Sequence, residues 1–327
     1  MLEQIKKYHT GTVIFTLVAA FLAFHYLGVA AMLAVLTLGL IETCVSLDNA
    51  VVNMSVLKNW DAKWQKLFLW FGMPVAVFGM RFLLPLVIVS VAAGVSLTGS
   101  FNLALNSPVE YGNIIKSVHQ EIAAFGGMFL LCITAGFFLD PDKENHLLPL
   151  EDKLVNISPF YVVFAGLVAL AAFLPWQVFM AGLLGASLFY LIHLLADKMS
   201  DGIADGVIKQ GIVGLLYLEL LDASFSLDGV IAAFAVSSNI FVIALGLGIG
   251  AMFVRSFTLQ LLDNPKVSEM KYLEHGAFLA IGCLVVIMAF SMFVHVNEFL
   301  AAAISMSCIG YGLYKSVQEN KHVADAT

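Results

Sequence analysis

Residues 41–59 read IETCVSLDNAVVNMSVLKN, and this largely apolar stretch contains Glu42, Asp48, Asn49 and Asn53. Apolar runs of about 17 to 25 residues recur along the chain, and this length is what a helix needs to cross a bilayer. A charge at the bilayer centre costs about 2.5–3.5 kcal/mol on insertion scales. Polar side chains in such a span therefore indicate a functional site, here Glu42, Asp48, Asn49 and Asn53.

The composition is that of a helical membrane protein. Of the 327 residues, 61% are hydrophobic and 12% are charged, whereas soluble proteins carry about 25% charged residues. A β-barrel would show short alternating segments instead. The net charge of −7 argues against nucleic acid as a partner. The four cysteines are isolated from one another in the sequence, which argues against structural zinc and a disulfide framework.

Hydropathy predicts ten spans, and therefore an all-α polytopic transmembrane bundle whose partner is the lipid bilayer. With the N-terminus inside, thirteen of the fourteen lysines fall on the inner side and only Lys116 falls outside. This bias is the positive-inside pattern. We expect a multi-pass protein of the inner (plasma) membrane with both termini cytoplasmic. The predicted spans are 12–27, 30–57, 66–94, 117–139, 159–174, 176–196, 211–237, 240–262, 274–294 and 296–315.

The acidic segment has a second copy in residues 221–239, LDASFSLDGVIAAFAVSSN. Without a gap, Glu42 aligns with Asp222 and Asp48 aligns with Asp228. The copies lie in the second and the seventh predicted spans, an offset of five spans, so they cross the membrane in opposite directions. Inverted repeats are typical of secondary transporters, whose sites lie near the membrane midplane.

The order of the other charged residues supports this repeat. The span after each copy carries one of the two arginines of the chain, Arg81 or Arg255. The span after that begins with a glutamate in each case, Glu121 or Glu274. The two predicted transmembrane repeat halves are residues 1–158 and 159–327.

Helical geometry sets the polar residues of the first copy on two faces. Glu42, Ser46, Asn49 and Asn53 share one face. Asp48 lies about 120° away, so it joins the others only if the helix unwinds near Ser-Leu-Asp, or else a second polar surface exists. The sequence leaves both alternatives open. The corresponding acids of the second copy are Glu219, Asp222 and Asp228.

The donor set predicts the chemistry of the ligand. Carboxylate, amide and hydroxyl oxygens suit Mg²⁺, Ca²⁺ and Mn²⁺, whereas zinc and copper sites usually contain His or Cys at close spacing. We expect a transported divalent cation held by the acids of both copies, and no permanently bound cofactor. Arg81 and Arg255 then act as counter-ions when the cation is absent, or else they snorkel or form structural salt bridges. Glu121 and Glu274 act as gates or proton relays, or else they only stabilise helix N-termini.

Two further features have simpler interpretations. Gly246, Gly248 and Gly250 form GLGIG, which predicts close helix packing. In the acidic segment 193–206, HLLADKMSDGIADG, one histidine and three aspartates recur every four residues. This spacing predicts a single helix face, either solvated or lining a cation-attracting vestibule. The four residues are His193, Asp197, Asp201 and Asp205.

The motif ETCVSLDNAVV resembles the acidic-SLDNA signature of TerC-type integral membrane proteins, within the LysE-like exporter superfamily. ELLDASFSLDGV is similar to the matching repeat, although Gly229 stands where the first copy has Asn49 and Ala233 where it has Asn53. The resemblance implies metal-ion efflux with manganese as the favoured substrate, and the family name carries an association with tellurium resistance. By motif position, the resemblance implies an ion site at Glu42, Asp48, Asn49, Asp222 and Asp228.

We therefore expect a secondary transporter that exports a divalent metal cation, with Mn²⁺ favoured over Ca²⁺ and Mg²⁺ and with protons as a hypothetical coupling ion. The main alternative is an exporter of amino acids or other small organic cations, in which Arg81 or Arg255 binds a carboxylate. We expect no enzyme, because the YD and GxGD motifs of intramembrane aspartyl proteases are absent around Asp48 and Asp228. A further alternative is a membrane partner of a stress-response complex that uses segment 193–206.

Overall fold

A computed structural model describes residues 5–72, 75–140, 147, 151, 157–198, 203–204, 207–208, 211–264, 267, 270–294 and 296–326. Over these ranges the regular secondary structure is helical except for one antiparallel pair of two-residue strands, β1 (Ile203–Ala204) and β2 (Val207–Ile208). The prediction of an all-α polytopic membrane bundle is confirmed.

The described ranges contain fourteen α-helices and three π-helices. The α-helices are α1 (Thr10–Leu27), α2 (Val29–Val45), α3 (Leu47–Leu57), α4 (Ala62–Leu67), α5 (Leu84–Ala93), α6 (Leu97–Asn106), α7 (Pro108–Ser117), α8 (His119–Phe138), α9 (Pro159–Phe173), α10 (Trp176–Lys198), α11 (Ile212–Val236), α12 (Ile240–Leu262), α13 (Leu273–Ser291) and α14 (Glu298–Ala326). The π-helices are Ile5–His9, Phe68–Gly72 and Val75–Leu83.

Among the described residues, five helices are long and apolar enough to cross a membrane. Two bent helix pairs, α2 with α3 and Phe78–Ala93 with α6, raise the number to seven. The 25-residue α11 is longer than these five helices but carries three carboxylates. The count of ten spans stays a prediction. The five helices are Lys7–Leu27, His119–Phe138, Trp176–Ala196, Ile240–Leu262 and Leu273–Ser291.

Hydropathy did not predict α6 and α7, which lie between the third and fourth predicted spans. The helix axis turns by 103° between Phe78–Ala93 and α6. Gly94 completes the turn with φ +64°, a left-handed conformation that side chains with a Cβ disfavour. The Ser96 hydroxyl then caps α6 by accepting a hydrogen bond from the Gly99 N–H at 3.1 Å. These two local features redirect the chain after α5.

The acidic segment after α10 does not continue as a helix. α10 ends at Lys198, and β1 pairs with β2 only a few residues later, with Ile203 opposite Ile208. The prediction of one helix face from His193 to residue 205 is therefore wrong, because strand pairing replaces the helical spacing beyond Lys198. Asp201 and Asp205 themselves lie outside the described residues.

Packing divides the chain into two compact units, each made of separate segments. Unit 1 comprises Met1–Ala50, Lys66–Gln120 and Phe225–Gln260. Unit 2 comprises Val51–Gln65, Glu121–Ser224 and Leu261–Thr327. Each unit takes segments from both predicted repeat halves, and the division of the sequence at residue 158 stays a prediction.

Glycines set the distance between α2 and α12 in unit 1. A Cβ on Gly39 would lie 2.8 Å from Cγ2 of Ile249, and a Cβ on Gly246 would lie 2.5 Å from Cβ of Leu38. These residues adjoin an apolar core that includes Val35. The prediction that GLGIG permits close helix packing is confirmed.

Unit 2 is packed with similar closeness. A Cβ on Gly185 of α10 would overlap the carbonyl oxygen of Phe125 in α8. Further along α8, the ring of Phe137 stacks on Phe278 of α13 with ring centroids 3.8 Å apart. Backbone proximity and aromatic stacking therefore join α8 to two neighbouring helices.

We predict that Gly246→Ala destabilises the protein by about 1–3 kcal/mol, because the added methyl group overpacks the contact with Leu38. The matched control is Gly136→Ala in α8, where a Cβ meets nothing within 4 Å. This control should be neutral or stabilising by up to about 1 kcal/mol, since alanine favours the helix. Thermal unfolding of the purified protein in detergent measures both effects. Equal unfolding temperatures for the two variants would contradict the close packing.

Candidate functional site

The acidic segment of the first copy forms a broken helix. α2 ends at Val45 and α3 begins at Leu47, and their axes differ by 52°. Ser46 at the break has φ −97° and ψ 16°, and its N–H donates to the Glu42 carbonyl at 2.9 Å. Of the two alternatives that the sequence left open, the first copy therefore has a break. Helix breaks within the membrane are common at the ion sites of transporters.

The break separates the two carboxylates of this segment. Glu42 lies in the last turn of α2, and Asp48 lies in the first turn of α3. Oδ1 of Asp48 accepts a hydrogen bond from the Asn49 N–H at 3.0 Å. A carboxylate at this position also interacts favourably with the helix dipole. All three side chains are buried.

The second copy is continuous where the first is broken. α11 runs from Ile212 to Val236 through the second Ser-Leu-Asp without interruption. Glu219 and Asp222 are buried in its first half. The side chain of Asp228 lies outside the described residues, so its predicted role as a ligand stays a prediction.

Glu42 and Arg81 form a buried ion pair in unit 1. Nη2 of Arg81 donates to Oε1 of Glu42 at 3.0 Å, and the two side chains are only 1% and 4% exposed, respectively. Oε1 also accepts a hydrogen bond from the Ser46 hydroxyl at 3.2 Å. Two charges removed from water remain stable only while they stay paired and hydrogen-bonded. The pair therefore compensates the charge of Glu42.

Two glycines make room for the Glu42 side chain. A Cβ on Gly229 of α11 would lie 2.9 Å from Oε2 of Glu42. A Cβ on Gly250 of α12 would overlap the methylene groups of the same side chain. Sequence reasoning missed both residues as parts of the site. The available signals were the replacement of Asn49 by Gly229 in the repeat and the last glycine of GLGIG.

Arg81 belongs to the π-helix Val75–Leu83. π-helical turns are rare and occur frequently at functional sites. Their wider hydrogen-bonding ring shifts the side chains that follow relative to an α-helix, so the direction of Arg81 cannot be read from a 100° helical projection. This unusual segment brings an arginine to the buried carboxylate of α2.

The eleven predicted site residues divide between the two units. Unit 1 contains both Ser-Leu-Asp aspartates and both arginines. The described residues contain no group of three or more His, Cys, Asp or Glu side chains arranged to hold a metal. The members in unit 1 are Glu42, Asp48, Asn49, Arg81, Asp228 and Arg255, and those in unit 2 are Asn53, Glu121, Glu219, Asp222 and Glu274.

The second arginine has a different environment from the first. Arg255 in α12 is half-buried, and among the described residues its buried Nε has no hydrogen-bond partner. Its predicted role as a counter-ion stays a prediction. A guanidinium with an unsatisfied N–H can donate a further hydrogen bond to an anion.

The two helix-start glutamates both lie in unit 2. Glu274 in the first turn of α13 accepts a hydrogen bond from Nζ of Lys58 at 2.6 Å, and both side chains are about one fifth exposed. Glu121 lies in the first turn of α8 and is half-buried. Both positions favour a carboxylate through the helix dipole. The gate and proton-relay roles of these residues stay predictions.

Comparison with known proteins identifies the family of the chain. Residues 47–323 match the family described as "Protein of unknown function (DUF475)". The chain belongs to this family. It is also 32% identical over 203 residues to "Uncharacterized membrane protein YceF" of Bacillus subtilis (strain 168), and this alignment covers 58% of the chain and 75% of the relative. No solved structure matches the chain.

The residues that match the family model include only part of the site. The matched residues begin at Leu47, so they include Asp48, Arg81, Gly229 and Gly250. Glu42 lies just before the matched range. The ion pair therefore joins a residue inside this range to one outside it.

We predict a large coupling energy between Glu42 and Arg81. Glu42→Gln and Arg81→Met should each destabilise the protein by about 3–5 kcal/mol, because each leaves its partner as an uncompensated buried charge. The double variant should be destabilised by much less than the sum of the two. Unfolding of the purified protein in detergent micelles measures the cycle.

The Lys271–Glu319 pair is the matched control for this cycle. Its N–O distance is 2.7 Å, but its side chains are 41% and 38% exposed. Its coupling energy should stay below about 1 kcal/mol, because water screens an exposed pair. A cycle for Glu42 and Arg81 that is equally close to additive would contradict the buried pair.

Proposed function

We propose that this membrane protein is a secondary transporter that exports a divalent metal cation, with Mn²⁺ as the favoured substrate. The observation that carries the proposal is the broken membrane helix with buried Glu42 and Asp48 on either side of its break. Ionisable residues inside membrane segments mark ion pathways. The donors around the break are carboxylate, amide and hydroxyl groups, which suit hard divalent cations.

In the proposed mechanism, Arg81 and the substrate compete for Glu42. The guanidinium neutralises the carboxylate while the site holds no cation. A divalent cation that binds Glu42 and Asp48 displaces Arg81 and supplies the positive charge in its place. When the cation leaves, Arg81 or a proton restores neutrality. This exchange keeps the Glu42 carboxylate neutralised at each stage and provides a route to proton coupling, and the displaced Arg81 requires another anionic partner.

Two further observations support this assignment. The motifs at residues 42–53 and 219–229 resemble those of TerC-type proteins, for which metal-ion efflux is expected. The inverted arrangement that the sequence predicts for the two copies suits alternating access, in which the repeats rock against each other around the substrate. We place the transporter in the inner (plasma) membrane with both termini cytoplasmic, on the distribution of lysines. We also propose that the protein transports its substrate without catalysing a chemical reaction.

The environment of Arg255 favours a second candidate function, the export of amino acids or other small organic cations. Its half-buried guanidinium has an Nε without a hydrogen-bond partner among the described residues. A substrate carboxylate could fill this position through a charge-assisted hydrogen bond. In this alternative, Asp48 binds the ammonium group of the substrate.

We predict that proteoliposomes containing the wild-type protein transport Mn²⁺ across an imposed pH gradient. Asp48→Asn and Asp228→Asn should each reduce the flux at least about tenfold, because each removes a carboxylate ligand and its charge. Glu110→Gln should leave the flux unchanged, since Glu110 is an exposed carboxylate in α7. Ca²⁺, Mg²⁺ and Zn²⁺ are measured in parallel to define selectivity.

Competition separates the two candidates. An excess of amino acids should not inhibit Mn²⁺ flux. Absence of flux for every metal in folded wild-type protein would contradict the metal exporter. Amino-acid flux that Arg255→Gln abolishes would then establish the alternative.

A further inference from the structure

Cys283 of α13 and Cys308 of α14 lie side by side, with their Sγ atoms 3.6 Å apart. Both are free and half-buried thiols in unit 2. They are 25 residues apart in the sequence and belong to no metal-binding motif. Their proximity therefore results from helix packing, and the spacing of cysteines along the chain did not predict it.

Backbone contacts hold the two helices together around this pair. A Cβ on Gly276 of α13 would lie 3.0 Å from the carbonyl oxygen of Cys308, and a Cβ on Gly312 of α14 would overlap the carbonyl oxygen of Tyr272. The Tyr272 N–H also donates to the Ser316 hydroxyl at 2.8 Å. The crossing of α13 and α14 is therefore fixed close to the thiols, and rotation of the Cys side chains is the main freedom left.

The sulfur–sulfur distance suits a bridging metal ion. A metal bonded to two sulfurs at about 2.3 Å holds them about 3.8 Å apart at a tetrahedral angle and about 4.6 Å apart in a linear arrangement. Small rotations of the two cysteine side chains can change the Sγ–Sγ distance from 3.6 Å to either of these values. The 3.6 Å separation of the free thiols therefore allows both sulfurs to bind one metal ion.

The number of available protein ligands indicates which class of cation the two thiols can bind. Structural zinc takes four protein ligands, and the described part of the chain has no group of three or more Cys, His, Asp or Glu side chains arranged for a metal. Thiolates prefer soft cations, whereas Mn²⁺, Mg²⁺ and Ca²⁺ prefer oxygen. A soft divalent cation that is satisfied by two sulfurs, as Hg²⁺ is, fits both conditions.

We propose that Cys283 and Cys308 form a dithiol site for a soft, two-coordinate divalent cation. Each thiol releases its proton, so that one cation replaces two protons and the resulting dithiolate complex is neutral. Neutrality favours the complex inside a membrane segment, where an isolated charge is costly. The bound cation links α13 to α14, and the site is independent of the oxygen-rich site around Glu42.

The test uses the full-length protein in detergent with one equivalent of HgCl₂, followed by alkylation of free thiols and mass spectrometry of the peptides. The cation should protect Cys283 and Cys308 together and leave Cys44 and Cys132 as reactive as before. Cys283→Ser or Cys308→Ser should weaken Hg²⁺ binding at least about 100-fold, because the second sulfur no longer binds within the same molecule. Cys44→Ser and Cys132→Ser are the matched controls and should bind as the wild type does.

Two results would overturn this proposal. One is full alkylation of Cys283 and Cys308 in the presence of the cation, and the other is wild-type affinity in either single variant. Thermal unfolding without cation shows whether each variant is folded. The alkylation pattern of the wild-type chain decides the question even where a variant folds poorly.

Discussion

The buried ion pair of Glu42 and Arg81 is the interaction on which the arrangement of unit 1 depends. Neither charge is stable alone away from water, so the two elements that carry them, α2 and the π-helix Val75–Leu83, must stay in register. The carboxylate also needs space, which Gly229 and Gly250 supply. A larger residue at either glycine would move a helix or break the pair. Charge compensation of Glu42 in unit 1 therefore depends on the close packing of α2 against α11 and α12.

The two copies differ in helix geometry although they share Ser-Leu-Asp. The first copy breaks at Ser46, and the second runs through α11 without interruption. The three shared residues therefore do not determine the break by themselves. The surroundings differ instead, since Glu42 has an arginine partner and lies against Gly229 of the second copy. The Asn49-to-Gly229 difference therefore has a steric role, because a Cβ at position 229 would lie 2.9 Å from Oε2 of Glu42.

Much of the helix pattern was predictable from the sequence, because hydropathy reports burial in lipid directly. The predicted spans 240–262 and 159–174, for example, agree with α12 and α9 to within a residue. The α5–α6 turn was not predictable from hydropathy, since it depends on Gly94 and the Ser96 cap. The helix expected through residue 205 was wrong because a four-residue repeat of charge does not exclude strand pairing.

The candidate site was predictable in composition but not in geometry. The repeat identified Glu42 and Asp48, and the membrane cost of an arginine identified Arg81. The contact between Glu42 and Arg81, 39 residues apart, depends on a π-helix that no periodicity reveals. The Cys283–Cys308 pair was missed for a related reason, because the crossing of two helices determines which thiols meet.

We propose that Glu42 exchanges its ion pair with Arg81 for a divalent cation. Infrared difference spectroscopy of the purified protein on addition of Mn²⁺ tests this proposal most directly. We predict a shift of a carboxylate band that is present in the wild type and in Glu110→Gln and absent in Glu42→Gln. An unchanged carboxylate region in the wild type, or an equal shift in Glu42→Gln, would contradict it.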